Sequence, residues 1–176
     1  MSKGKRIPRE KAEAIAARLI DQLQANSGLR CVIGGSIRRE KETVGDIDMA
    51  VRCSSRRSQE QLNQQLGALF GWCSTRPDRA KRFGEFEGVQ INVFDVLPQS
   101  MGAALLFCTG SGQFNIMMRC IAKRRGYLLN QYGLWERENR DERICKATQE
   151  KSIFAALGLE FVEPTDRTDT VLHWGM

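Results

Sequence analysis

Apolar residues recur at helical spacing from Pro8 to Gln24, where Ala14, Ile15, Ala17, Leu19 and Leu23 form a stripe and Pro8 suits a first turn. Asn26-Ser27-Gly28 ends that helix. The pattern then shortens into strands. Leu29 to Ile33 is apolar, a Gly34-Gly35-Ser36 turn follows, and Asp46 to Val51 forms the next strand. Ser58 to Phe70 returns to an amphipathic helical period. Three more strands are predicted at Gly71 to Thr75, Arg82 to Phe86 and Val89 to Leu97, with Glu87-Gly88 as a hairpin turn. The class is α+β, a mixed sheet backed by helices.

From Met101 the pattern changes. Ala103 to Cys108, Ser111 to Arg125 and Glu150 to Leu157 read as helices. Between them lie a short strand at Tyr127-Leu128-Leu129 and a polar hairpin from Glu136 to Arg143. A subdomain boundary is expected near Pro98 to Met101. That divides the chain into a basic N-terminal helix (1–28), a sheet domain (29–100) and a C-terminal subdomain (101–176). Thr168 to Met176 is expected to be a loosely held tail.

Composition narrows the function classes. A chain of 176 residues buries one sizeable core or two small ones. Its net charge of +6 favours a polyanionic partner. No apolar run approaches the ~20 residues of a membrane span. The basic N-terminus lacks the apolar stretch of a signal peptide, so secretion is not expected. Six cysteines are scattered without a C-x-x-C pair, and there is one histidine, His173, so reduced thiols are expected and zinc is not. The expected setting is cytoplasmic in a bacterium, virus or phage, or nuclear in a eukaryote, and nothing demands more than a monomer.

Candidate chemistry concentrates at Asp46 and Asp48. Carboxylates at i and i+2 of a strand project from one face, about 7 Å apart at roughly 3.3 Å per residue, and can share a divalent cation. Just upstream, Gly35-Ser36 offers backbone N–H groups to phosphate oxygens, with Arg39 as a charged partner. Carboxylates beside a phosphate cradle make a nucleotide site.

The pattern G-S-x-R-R-x(6)-D-x-D over Gly35 to Asp48 resembles the DNA polymerase X family, the group containing polymerase beta. Thr109-Gly110-Ser111-Gly112-Gln113-Phe114-Asn115-Ile116-Met117-Met118-Arg119 is similar to the family's T-G-S-x-x-F-N-x-x-M-R segment. Leu129-Asn130-Gln131-Tyr132-Gly133-Leu134 and Leu157 to Arg167 follow in the family's order. The likeness runs from about Leu29 to Arg167. It implies a nucleotidyltransferase palm with a C-terminal nucleotide- and template-binding subdomain. The implied activity is DNA-directed synthesis in short repair gaps, with dNTP substrate, gapped or primer–template DNA as partner and two Mg2+ ions, for which Mn2+ can substitute. Only about 28 residues precede the palm, so the family's lyase and helix-hairpin-helix elements are not expected.

The resemblance also implies residue roles. Gly35, Ser36, Arg39 and Gly45 would hold the β- and γ-phosphates. Phe107 and Cys108 would lie beneath the sugar, ahead of Gly110; the family has Tyr-Phe there, so sugar selection is in doubt. Asn115 would reach the incoming base, Arg119 and Tyr132 the template, and Lys123 and Arg124 its phosphates, with Arg38 left open between phosphate and solvent. Arg76, Arg79, Lys81 and Arg82, and N-terminal Lys3, Lys5, Arg6 and Arg9, could track a DNA strand.

The third catalytic carboxylate of the family falls on Asn92. Three readings stay open: a deliberate Asp-to-Asn exchange, a natural asparagine with a strand bulge bringing Asp95 into the site, or lost catalysis with binding retained. An amide keeps an oxygen ligand but lacks the charge, so Asp46 and Asp48 are expected to keep the nucleotide-borne ion while turnover drops. The alternative classes are a template-independent or small-molecule nucleotidyltransferase and a non-catalytic nucleotide- or DNA-binding module.

Overall fold

The computed structural model describes residues 6–27, 29–70, 74–76, 81–139 and 141–167. The first half builds α1 (Arg9–Ser27), β2 (Arg30–Ile33), a four-residue helix α2 (Gly35–Arg38), β4 (Asp46–Arg52) and α3 (Arg56–Phe70). The two-residue strands β1 (Ile7–Pro8) and β3 (Thr43–Val44) pair with each other, and β5 (Ser74–Arg76), β6 (Lys81–Phe86) and β7 (Val89–Val96) follow. The second half holds α4 (Met101–Thr109), α5 (Gly112–Arg124), β8 (Tyr127–Asn130), β9 (Gly133–Glu136) and α6 (Glu150–Ala156). The expected α+β class with a mixed, helix-backed sheet is the one observed.

Five strands form the main sheet in the order β2-β4-β7-β6-β5. Only β4 and β7 run parallel; the other neighbours are antiparallel. Parallel pairing needs a crossover, and α3 with the β5–β6 hairpin supplies it. Alternation divides the faces. Ile47, Met49, Val51, Ile91 and Val93 face α1 and α3, while Ala50, Phe94 and Val96 pack against Met101, Ala104 and Cys108 of α4. Two layers of helix therefore enclose the sheet, and at about 25 cal/mol per Å2 this apolar burial is the main stabilising term.

Details depart from expectation for physical reasons. The buried stripe of α1 is Ala12, Ile15, Ala16, Leu19 and Leu23, while Ala14 and Ala17 face solvent. Alanine tolerates either environment, so its positions set the stripe poorly. Gly35-Ser36, expected as a turn, opens α2. Strands β1 and β3, of two residues each, carry too few residues for a period-2 signal, and β9 (Gly133–Glu136) was not among the expected strands. Residues 71–73 of the strand expected at Gly71 to Thr75 and the tail 168–176 lie outside the described residues, as do Lys3, Lys5 and Arg79.

The second half has its own apolar cluster, in which Ala103, Leu106, Phe114, Met118, Leu134, Ile153 and Phe154 are buried. Because α4 offers Ala103 and Leu106 to this cluster and Ala104 and Cys108 to the sheet, it is shared by both halves.

Candidate active site

Asp46 and Asp48 flank Ile47, which is fully buried. Both carboxylates point from the α4 face of β4 into an open cavity of about 920 Å3. The parallel register places Gln90 opposite Asp46 and Asn92 opposite Asp48. All four side chains share one face.

The phosphate-cradle residues reach the same cavity because β2 ends where β4 begins. Gly34 N–H donates to the Asp48 carbonyl at 2.8 Å, which holds the entry to α2 against β4. Gly35 has φ +62, and a Cβ there would lie 2.5 Å from the Asp48 carboxylate. Only glycine allows this approach. A Cβ on Gly34 would lie 2.5 Å from Cys108 Sγ, so the cradle is packed on both sides. Ser36, Arg39, Gly45, Phe107, Cys108, Gly110 and Asn115 also line the cavity.

The two arginines diverge. Arg39 remains at the cavity and donates to the Thr109 carbonyl. Arg38 turns inward, donating to Thr109 Oγ1 at 2.7 Å and to the Glu150 carboxylate at 2.6 Å. Glu150 also accepts from Arg167 at 2.6 Å, and Arg167 is 0% exposed among the rings of Phe114, Phe154 and Phe161. Arg38 thus bridges α2 to α4 and α6, a structural role that sequence left open.

Phe107 and Cys108 end α4, where Phe107 meets Phe94 edge-on with ring centroids 5.7 Å apart. Burial, and secondarily the charge of Asp48, pushes the Cys108 thiol well above its ordinary range, so it remains neutral. Ser111 caps α5 by accepting from Phe114 N–H, and the Gly110–Ser111 peptide bond is cis. Asn115 donates to the Phe107 carbonyl at 2.7 Å. Asn115 and Arg119 share a crevice with Phe107, Leu129 and Asn130. Lys123 and Arg124 are exposed at the end of α5. Tyr132 is not gathered with them; it borders a separate cleft of about 590 Å3 beside Leu97 and Trp135.

Asn92 is 1% exposed. Its amide nitrogen donates to Asp46 at 2.8 Å and to Asp48 at 3.0 Å, and its oxygen accepts from Gln90 at 3.0 Å. The bulge reading fails. The β4–β7 register runs unbroken from Asp46 opposite Gln90 to Arg52 opposite Val96. Asp95 therefore faces the other side of the sheet, where it accepts from Arg82 at 2.8 Å and Gln59 at 3.3 Å. That pairing holds the Arg82 guanidinium on the far side of the sheet from Asp46 and Asp48.

Asp46 and Asp48 would hold one hard cation carried by a phosphate ligand, and Ser36 and the basic groups that line the same cavity would face the phosphate. In this orientation Asn92 turns its N–H groups, not its oxygen, towards the two carboxylates, and among the described residues no group of three or more acidic, histidine or cysteine side chains is placed to hold a metal ion.

Sequence reading gave Arg6 only a candidate DNA-tracking role and did not name Gln90. Arg6 lines the cavity beside Gly45 because β1 pairs with β3, and its Nε donates to Thr43 Oγ1 at 2.8 Å. Its signal was hidden in a two-residue strand. Gln90 was legible, since it lies two residues before Asn92 and alternation puts it on the same face.

Comparison with known proteins agrees with this geometry. The DNA polymerase beta palm matches residues 6–74, and the DNA polymerase beta thumb matches residues 104–168. DNA polymerase lambda of Rattus norvegicus is 30% identical over 92% of this chain, which spans 33% of that relative. Repair DNA polymerase X of African swine fever virus (strain Badajoz 1971 Vero-adapted) is 26% identical, over 93% of this chain and 96% of its own. The fold matches a crystal structure of Leishmania infantum polymerase beta in a ternary P/T complex, with a TM-score of 0.79 at 20% identity, covering 94% of this chain and 78% of that one. The fold is that of the polymerase beta palm and thumb. The chain belongs to the X family of DNA polymerases.

Proposed function

We propose that this chain binds a deoxynucleoside triphosphate on gapped or primer–template DNA and carries out template-directed nucleotidyl transfer, impaired by Asn92. The observation that carries the reading is the convergence of Asp46, Asp48, Ser36, Arg39 and Gly45 on one 920 Å3 cavity. In phosphoryl transfer the protein mainly positions reactants and stabilises charge. Asp46 and Asp48 would hold a Mg2+ or Mn2+ ion, which when bound neutralises phosphate charge. Ser36, Arg39, Arg6 and the N–H groups of Gly35 and Gly45 would orient the β- and γ-phosphates.

Phe107 and Cys108 would floor the sugar, with Gly110 leaving room beside them. Asn115 and Arg119 would face the base pair, where minor-groove acceptors recur in every pair. Lys123 and Arg124 would meet template phosphates, and Tyr132 the template beyond. The palm (29–100) would therefore do the chemistry and the C-terminal subdomain (101–176) would read geometry. Asn92 cannot accept the primer hydroxyl proton as a carboxylate could, which supports slow turnover with binding retained.

Primer extension on a one-nucleotide gap tests this directly, with the chain compared to Asn92→Asp. The aspartate form is expected to extend at least ~100-fold faster, in line with loss of one charge-stabilising group. Failure of both proteins to extend or to bind dNTP while folded would defeat the reading.

A further inference from the structure

Gln90 is the unassigned partner of the site. It lies opposite Asp46 in the β4–β7 register, and its side-chain N–H donates to the Asn92 oxygen at 3.0 Å. The Asn92 amide is thereby directed one way. Its oxygen is taken by Gln90, and both N–H groups are spent on Asp46 and Asp48 at 2.8 and 3.0 Å. Ionised carboxylates only accept, so this chain of donors is matched at every link. A cation between the carboxylates would meet two N–H hydrogens instead of an oxygen lone pair. To ligate, the amide must turn over, break two charge-assisted bonds and point its N–H groups at Gln90, which must turn as well. Occupancy of a second cation is thus coupled to the orientation of Gln90.

We propose that Gln90 and Asn92 form a paired amide that substitutes for a second cation, so that the site takes one divalent ion per bound nucleotide. Gln90 is the positioning residue: it acts through Asn92 and touches neither ion nor nucleotide. The proposal rests on the nucleotide-binding reading above and adds a cation count and the residue that sets it. Asn92 alone would be a weak but usable oxygen ligand. Held as a donor by Gln90, it opposes the ion.

Electron paramagnetic resonance titration of Mn2+ gives the count, using the whole chain with a saturating non-hydrolysable α,β-imido dNTP. One nucleotide-dependent Mn2+ is expected for the parent and two, with the signature of coupled ions, for Asn92→Asp. Gln90 is exposed, so Gln90→Leu should fold; it removes the donor without adding charge. That variant is expected to gain a second site at least about tenfold tighter than any residual second binding in the parent, as loss of one hydrogen bond that orients the amide implies. Two tight ions in the parent would overturn the proposal. A second site unchanged by Gln90→Leu, with two ions in Asn92→Asp, would overturn the role of Gln90. No nucleotide-dependent Mn2+ in any form would instead overturn the nucleotide reading itself.

Discussion

Arg6 shows how one side chain acquires a role from a distant pairing. Its Nε donates to Thr43 Oγ1 at 2.8 Å, which aims the guanidinium at the rim of the cavity near Gly45. Those anchors are exposed, so they contribute little to stability. Arg6→Ala is therefore expected to weaken dNTP binding about tenfold, as loss of one charge-assisted phosphate contact implies, with the melting temperature unchanged. Isothermal titration and a thermal scan on the same sample check both halves. At this scale the sequence was partly legible. That Asp46 and Asp48 share a face followed from strand alternation, because the period of two does not depend on neighbours, while their reading as a site also needed the Gly-Ser turn and the arginines just upstream. The fates of Arg38 and Arg39 did not: adjacent residues in one short helix part company only because Glu150 waits on one side and the cavity on the other.

Among elements, the junction of α2, α4 and α6 depends on Glu150. It is 6% exposed and accepts from both Arg38 and Arg167, the latter fully buried. A buried acid between two guanidiniums is balanced only while it is charged and present. Glu150→Ala leaves two cations without their shared counter-charge and is expected to destabilise the fold by about 3–5 kcal/mol. Urea unfolding measures that directly, and a change below about 1 kcal/mol would contradict the assigned role. Helices and long strands were legible because their apolar periods extend over many residues. Strands β1 and β3 were not, since a two-residue strand has no period and forms only because the chain brings Ile7 opposite Val44.

For the molecule as a whole, the thiols report how the core is closed. Burial pushes both Cys31 and Cys53 from an ordinary value of 9.0 to about 11, and raises Cys108 further in the same direction. The unfolded chain ionises these groups first as pH rises, so between pH 9 and 11 the native state holds more protons. Their contribution is full below pH 9 and is lost as pH climbs through 11. The urea midpoint is expected to fall between pH 8.5 and 10.5, within that window, and alkylation at pH 8 should label exposed Cys120 well before Cys31, Cys53 or Cys108. Mass-spectrometric mapping of the labelled sites tests the order.

Local chemistry by itself determined much of this protein. Periodicity fixed the α+β class and the long helices, and strand alternation put two carboxylates on one face beside a Gly-Ser cradle. Those are short-range properties, carried by residues a few positions apart. Tertiary structure decided the rest, because each remaining question turned on partners from distant segments. The unbroken β4–β7 register kept Asp95 on the far side of the sheet and brought Gln90 to Asn92. Whether an asparagine presents its oxygen or its N–H groups to two carboxylates depends on which neighbour claims the other end, and only the packing of strands from two parts of the chain decides that.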